Sequence, residues 1–159
     1  MSTLVIVESP GKIQKIKKIL GSGYDVAASM GHLRDLGKGL GSIDVDNNFK
    51  PKYINIDSKV KTIKDLKTKA KKAETIIIAS DLDREGEAIG YHICKCLSLD
   101  VKTTPRIVFT EITKKAIDEA ISQPRKIDMD MVNAQQARRI LDRLVGFELS
   151  PILWSQLDN

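Results

Sequence analysis

Short apolar runs alternate with segments of helical periodicity through the first 112 of the 159 residues of this chain. Residues 4–7 and 75–79 are rich in β-branched side chains, and a stretch with helical spacing follows each run. Such runs are typical of buried parallel strands, because helices cover both faces of a parallel sheet. After residue 112 only helical patterns remain. The sequence therefore predicts an α/β fold with a mostly parallel sheet flanked by helices, followed by a helical segment.

The same periodicities predict the remaining elements. Further strands are expected at residues 25–29, 53–56 and 106–109, and a lysine-rich helix at 58–73. Residues 31–51 are rich in Gly and Asn, which predicts a long irregular loop. The last helix should cover residues 131–157, with a break or a kink near Pro151 because proline clashes with the preceding helical turn.

The composition excludes several classes of protein. Apolar residues make up 42% and charged residues 30% of the chain, which fits neither a disordered tail nor a membrane protein. No apolar run approaches the roughly 20 residues that a membrane helix needs. The two cysteines cannot form a disulfide framework, so we expect a cytoplasmic protein. The net charge of +5 is compatible with nucleic acid as a partner, but charge runs of this kind usually form solvated helix faces.

Three carboxylates follow the second apolar run directly. Asp81, Asp83 and Glu85 alternate with other residues where a strand of an α/β sheet ends, which is where such folds bind ligands. Like charges this close need a neutralising partner, and oxygen ligands favour a hard cation such as Mg²⁺. Arg84 lies within the cluster and could balance part of the charge. The alternative is a solvated acidic turn at a helix start, whereas a calcium loop is excluded because His92 stands where its closing Glu would fall.

A fourth carboxylate ends the first apolar run. If the two predicted strands are neighbours in a parallel sheet, Glu8 faces the acidic cluster at the same sheet edge. Glu8 could relay a proton there, and Lys12 could hold a phosphate or protonate a leaving oxygen. This combination fits phosphoryl transfer, which needs positioning and charge neutralisation. The loop at residues 9–12 lacks the spacing of a phosphate-binding Walker motif, so no ATP site is implied.

Several motifs, in order along the chain, resemble the amino-terminal part of type IA DNA topoisomerases. They cover residues 5–12, 31–36, 81–89, 109–113, 132–143 and 150–154. The resemblance implies a Toprim domain over residues 1–112 and the start of a helical DNA-binding domain over residues 113–159.

The resemblance also implies roles for individual residues. The Mg²⁺ ligands would be Asp81, Asp83 and Glu85, together with Glu8, which would also act as the general acid and base beside the scissile phosphate. Lys12 and Arg84 would complete the catalytic group, with Lys12 on that phosphate. The DNA contacts would come from His32, Arg138, Arg139 and Asp142, with Phe147 and Trp154 stacking on bases. Taken singly, each of these residues could instead be an ordinary surface or core residue.

The implied function is relaxation of negatively supercoiled DNA, dependent on Mg²⁺ and independent of ATP. In this family a downstream tyrosine attacks the DNA, and none of Tyr24, Tyr53 and Tyr91 lies in the corresponding motif. We therefore expect a fragment that is inactive alone, monomeric, and part of an enzyme acting on single-stranded segments of nucleoid DNA. The alternatives are a stand-alone Toprim nuclease or primase-like metal-dependent module, and a binding domain without enzymatic activity.

Overall fold

A sheet of three parallel strands lies at the centre of the structure, a computed structural model that describes residues 2–37, 42–44, 46 and 48–157, with side chains up to residue 146. The strands are β1 (Thr3–Val7), β2 (Tyr24–Ala28) and β7 (Thr75–Ile78), in the order β2-β1-β7. Val5 of β1 lies opposite Val26 of β2 and Ile77 of β7. The central strand is buried on both faces, as its continuous apolar run predicts.

Helices cover both faces of this sheet. Their bounds are α1 (Ile13–Leu20), α2 (Val60–Lys72), α3 (Arg84–Cys96), α4 (Lys114–Ser122) and α5 (Met129–Leu157). On one face, Leu4 and Ile6 pack in a single core with apolar residues of α2, α3 and the start of α5. On the other face, Val5 and Val7 pack with residues of α1 and α4. The predicted fold class is thus confirmed, and the core extends past residue 112 into α4 and α5.

The region predicted as an irregular loop contains short antiparallel strands instead. β3 (Arg34–Leu36) pairs with β6 (Tyr53–Asn55), which lies within the strand predicted at 53–56, and β4 (Ile43–Asp44) pairs with β5 (Lys50–Pro51). Strands of two or three residues leave too few alternating positions for a periodic signal in the sequence.

The predicted strand at 106–109 is reduced to single bridges in the structure. Ile107 donates its N–H to the carbonyl of Ile78 at 2.9 Å, which places this segment beside β7. Arg106 turns its own backbone away and exchanges two hydrogen bonds of 2.7 Å with Arg125. The segment therefore lies along the sheet without continuing as a ladder.

The last two helices show one agreement with the sequence and one departure from it. Thr113 caps α4, as a threonine before a helix often does, since its side-chain oxygen accepts a hydrogen bond from the N–H of Ala116 at 3.2 Å. The helix α5 runs on through Pro151, where we expected a break or a kink. None of the helices in the part of the chain that the structure describes is long and apolar enough to cross a membrane.

The strand β2 forms one edge of the sheet. Thr3 donates to the carbonyl of Gly23, and Ser29 donates to the carbonyl of Val7, so the odd-numbered residues of this strand face β1. The N–H of Val26 points to the other side, where the Asp25 carboxylate accepts it at 2.9 Å. This side chain therefore occupies a donor that an edge strand would otherwise leave open.

Candidate active site

The ends of β1 and β7 bring two of the predicted site residues together. Because the strands are parallel neighbours, Glu8 and Asp81 follow them at the same edge. The Asp81 N–H donates to Glu8 Oε1 at 2.7 Å. Lys12, in the turn that precedes α1, lines a small pocket of about 30 Å³ together with these two residues. Such a volume is enough for one ion of about the size of a water molecule.

The loop that carries the acidic cluster is closed by its own side chains. Asp83 is the N-cap of α3, and its carboxylate accepts the N–H of Gly86 at 2.6 Å. The buried hydroxyl of Ser80 donates to the Gly86 carbonyl at 2.6 Å. A side chain at Gly86 has no room, because a Cβ there would lie 1.9 Å from the carbonyl oxygen of Asp81. The loop is therefore held in one tight conformation.

A buried ion pair, not predicted from the sequence, supports this loop from below. Arg106 and Glu87 are joined at 2.8 Å, and their side chains are 0% and 2% exposed. Arg106 also donates to the carbonyls of Ser80 and Asp81, at 2.8 and 2.7 Å. The sequence alone gave no sign of this pair, because a Glu in the first turn of a helix is usually a surface residue that complements the helix dipole.

The four carboxylates do not converge on one point. Among the residues described, no three or more His, Cys, Asp or Glu side chains form a group that could hold a metal ion. The predicted metal cluster stays a prediction, and the hydrogen bonds show what engages two of these carboxylates in the structure. Asp83 caps α3, and Glu85 accepts a hydrogen bond from Gln135 at 3.5 Å and pairs with His32 at 2.9 Å.

The donors nonetheless fit Mg²⁺ in kind. All four groups offer oxygen atoms, which a hard cation prefers. Asp81, Asp83 and Glu85 are exposed and Glu8 is partly so, so an ion could reach them from solvent. Of the four, Glu8 and Asp81 already border a common pocket.

His32 opens onto a cleft of about 210 Å³ between the acidic loop, the β3–β6 pair and α5. The residues lining this cleft are His32, Arg34, Asp35, Tyr53, Glu85, His92, Gln135 and Arg139. Burial lowers the pKa of His92 to about 3 and raises the pKa of Tyr53 to about 12. Both side chains are therefore uncharged at neutral pH.

The predicted DNA contacts on α5 have different surroundings. Arg139 holds Asp35 through two hydrogen bonds of 3.1 and 2.9 Å. Burial would raise the pKa of Asp35, but the hydrogen bonds from Arg139 and from the Leu36 N–H outweigh it, and the pKa lies below its usual value. Arg138 is exposed and lines a second pocket with Arg84 and the acidic loop.

The other predicted contacts can be placed only in part. Asp142 is exposed on the next turn of α5 and acts electrostatically on Arg139. Phe147 and Trp154 lie outside the residues whose side chains the structure describes.

Two comparisons with known proteins show what this chain is similar to. Residues 3–112 match the sequence model of the Toprim domain family. Among solved structures, the chain is similar to full-length topoisomerase I from Thermotoga maritima, with 51% sequence identity and a TM-score of 0.87. The match covers 95% of this chain and 26% of that one, so the chain spans about a quarter of the length of the Thermotoga enzyme.

Proposed function

The chain belongs to the Toprim domain family, in the form that type IA topoisomerases carry, and from this premise we propose that it supplies the metal-dependent part of a DNA topoisomerase. The proposed reaction is relaxation of negatively supercoiled DNA without ATP, in which one strand is cut, the other passes through the break, and the break is resealed. The enzyme would act in the cytoplasm, on single-stranded segments of nucleoid DNA. The observation that carries the proposal is the contact between Glu8 and the Asp81 amide beside Lys12.

Glu8 and Asp81 would hold Mg²⁺ in the pocket that they share. Asp83 and Glu85 would complete the ligand set only after leaving the Gly86 amide and His32, which they contact in the structure. The ion would neutralise charge on the DNA phosphate. Lys12 would bind the same phosphate, and Glu8 would hold or release a proton beside it.

The DNA strand would approach along α5 and the cleft beside His32. Arg138 is an exposed cation next to the acidic loop, and Arg84, also exposed, lines the same pocket. Together they offer positive charge to a backbone phosphate close to the proposed metal site. Arg139 is already engaged by Asp35, so a contact between Arg139 and DNA would compete with that pair.

The chain alone is proposed not to cut DNA. Tyr24 begins β2 opposite Thr3, at the sheet edge remote from Glu8. The hydroxyl of Tyr53 is buried and its pKa is raised to about 12 by burial, which makes it a poor nucleophile at neutral pH. A plasmid relaxation assay with this chain, Mg²⁺ and negatively supercoiled DNA should show no relaxation; robust activity would contradict this part of the proposal.

The positive test uses a chimera, in which this chain replaces the matching 26% of Thermotoga maritima topoisomerase I. We expect the chimera to relax negatively supercoiled plasmid with Mg²⁺ and without ATP, and to lose activity with EDTA. The chimera carrying Asp81→Asn and Asp83→Asn together should lose most of its activity, because two of the metal-binding charges are removed.

The matched control is Asp118→Asn, which removes one exposed carboxylate that pairs with Lys114 on α4. It should leave relaxation unchanged. A folded chimera that is inactive, or whose activity survives both EDTA and the double substitution, would refute the proposed function. Cleavage of DNA by this chain alone would instead favour a stand-alone nuclease.

A further inference from the structure

The Glu87–Arg106 pair is the most deeply buried pair of opposite charges in the part of the chain that the structure describes. Both side chains are at most 2% exposed, and they lie directly beneath the acidic loop. Burying two charges is costly, and apolar side chains of similar volume often stabilise such a site as well or better. Because stability alone does not require a charged pair here, the hydrogen bonds that the pair makes to its surroundings indicate a further role.

Arg106 fixes the peptide groups on either side of Asp81. Its guanidinium donates to the Ser80 carbonyl at 2.8 Å and to the Asp81 carbonyl at 2.7 Å. The N–H of Asp81 is held separately, by Glu8 Oε1. The backbone of Asp81 is thus bound on its amide side by Glu8 and on its carbonyl side by Arg106, which limits where its carboxylate can lie.

Glu87 links Arg106, and through it the backbone of Asp81, to the start of α5. One of its oxygens accepts Arg106 Nε at 2.8 Å, and the other accepts the N–H of Asp128 at 2.9 Å. The Asp128 carboxylate in turn accepts the N–H of Asp130 at 3.0 Å, in the first turn of the helix. One buried carboxylate therefore connects the acidic loop to the helix that carries Arg138.

We propose that Glu87 is a positioning residue, whose buried carboxylate sets the acidic loop and the first turn of α5 in a fixed relation by holding Arg106 and the Asp128 amide at once. The inference rests on the proposed function, since it assigns Glu87 to the placement of the metal-binding and DNA-binding groups. Glu87 itself touches neither ligand. Its effect passes through Arg106 to Asp81 and through Asp128 to α5.

The test separates positioning from stability with an apolar pair. In the double variant Glu87→Met/Arg106→Met, the core stays filled and no buried charge is left alone, so the chain should still fold. Its thermal unfolding midpoint should fall only through the carbonyls of Ser80 and Asp81 and the Asp128 amide, which lose their partners. The acidic loop should nevertheless lose the hydrogen bonds that Arg106 donates to the carbonyls of Ser80 and Asp81. Amide hydrogen exchange of Asp81, measured by NMR without metal, should become faster, while exchange of Val5 in β1 stays slow.

A second readout is Mg²⁺ affinity, followed through the amide shifts of Asp81 and Gly86 during titration with MgCl₂. The double variant should bind about 10-fold more weakly or worse, the usual effect of losing an outer group that orients a ligand. Asp118→Asn, which breaks an exposed pair on α4, should change neither the exchange rate nor the affinity.

Each outcome decides the question. A stable double variant with wild-type exchange at Asp81 and wild-type Mg²⁺ affinity overturns the positioning role. If the double variant does not fold, Glu87→Asp takes its place, since it keeps the charge and shortens the reach by one methylene; unchanged exchange at Asp81 would then overturn the proposal. If the wild type binds no Mg²⁺ but the variants still loosen Asp81, the positioning role stands and the metal part of the proposed function fails.

Discussion

At the scale of single residues, Gly86 is the position least able to accept a side chain. A Cβ there would lie 1.9 Å from the Asp81 carbonyl oxygen, which is itself held by Arg106. Gly86→Ala should therefore displace the acidic loop and lower the free energy of unfolding by about 3 kcal/mol or more, in the range of the most damaging single substitutions. Urea unfolding measures this loss.

Gly11→Ala is the matched control for that substitution. A Cβ at Gly11 would meet only Ser9 Oγ, at an ordinary contact distance of 3.7 Å. The control should change the stability by no more than about 0.5 kcal/mol. If Gly86→Ala lowers the free energy of unfolding no more than Gly11→Ala does, the acidic loop moves to accept a Cβ more easily than its contacts indicate.

Arg138 allows a test of the proposed DNA path. If its guanidinium binds a phosphate, Arg138→Ala should weaken binding of a single-stranded oligonucleotide and lower the slope of log affinity against log salt by about 1. Fluorescence anisotropy at several salt concentrations measures both quantities. Lys67→Ala, which removes an exposed cation from α2, serves as the comparison. Equal losses in the two variants would mean that only the net charge matters.

The sequence predicted the site residues unevenly, for identifiable reasons. Glu8 and Asp81 could be paired in advance, because parallel neighbouring strands bring their ends to one edge. The convergence of Asp83 with them could not be judged from alternation alone. Asp83 uses its carboxylate as a helix cap, a role that its position before the helix could have suggested. Glu87 and Arg106 carry no signal of burial in the sequence, since each has the pattern of a surface residue.

At the scale of elements, the cap of α4 gives a quantitative test. Thr113→Ala removes the side-chain oxygen that accepts the Ala116 N–H, and should lower the free energy of unfolding by about 1 kcal/mol. Thr113→Ser keeps the hydroxyl and should retain most of that stability. Urea unfolding of both variants distinguishes them, and an equal loss in each would point to the Thr113 methyl group rather than to the cap.

The elements differed in how far their sequences reveal them. The sheet strands and α1 to α4 have enough residues to show an apolar period, and they lie close to where the sequence places them. The strands β3, β4 and β5 were missed because strands of two or three residues show no such period, whereas β6 lies within the strand predicted at 53–56. The break that Pro151 could have caused does not occur, since α5 runs through this residue. The division at residue 112 stays a prediction, although α4 and α5 share the core of the sheet.

At the scale of the whole molecule, His92 makes stability depend on pH. Burial lowers its pKa from 6.5 to about 3, so His92 stays unprotonated in the folded chain over a pH range in which it binds a proton in the unfolded chain. The stabilisation from His92 is complete above its pKa in the unfolded chain, near 6.5, and is lost as the pH falls toward its pKa in the folded chain. The contribution of His92 to the free energy of unfolding should fall by up to about 1.4 kcal/mol for each unit by which the pH is lowered.

Urea unfolding at pH 7.5 and pH 5 tests this dependence. His92→Phe keeps a ring against Tyr53 and Tyr91 but cannot take up a proton, so the loss of stability between the two pH values should be smaller than in the wild type. The comparison uses the difference between pH values within each protein, because the substitution also changes packing. An identical difference in both proteins would assign the pH dependence to other groups.

The Asp25 carboxylate on the Val26 amide bears on how the chain behaves when crowded. An edge strand with open backbone donors can pair with the same strand of a second molecule, and repeated pairing of this kind leads to insoluble aggregates. A donor already taken within the same molecule interrupts that row, and Lys17, at 3.7 Å, pairs with the same carboxylate. This carboxylate should therefore help to keep concentrated solutions of the chain free of precipitate.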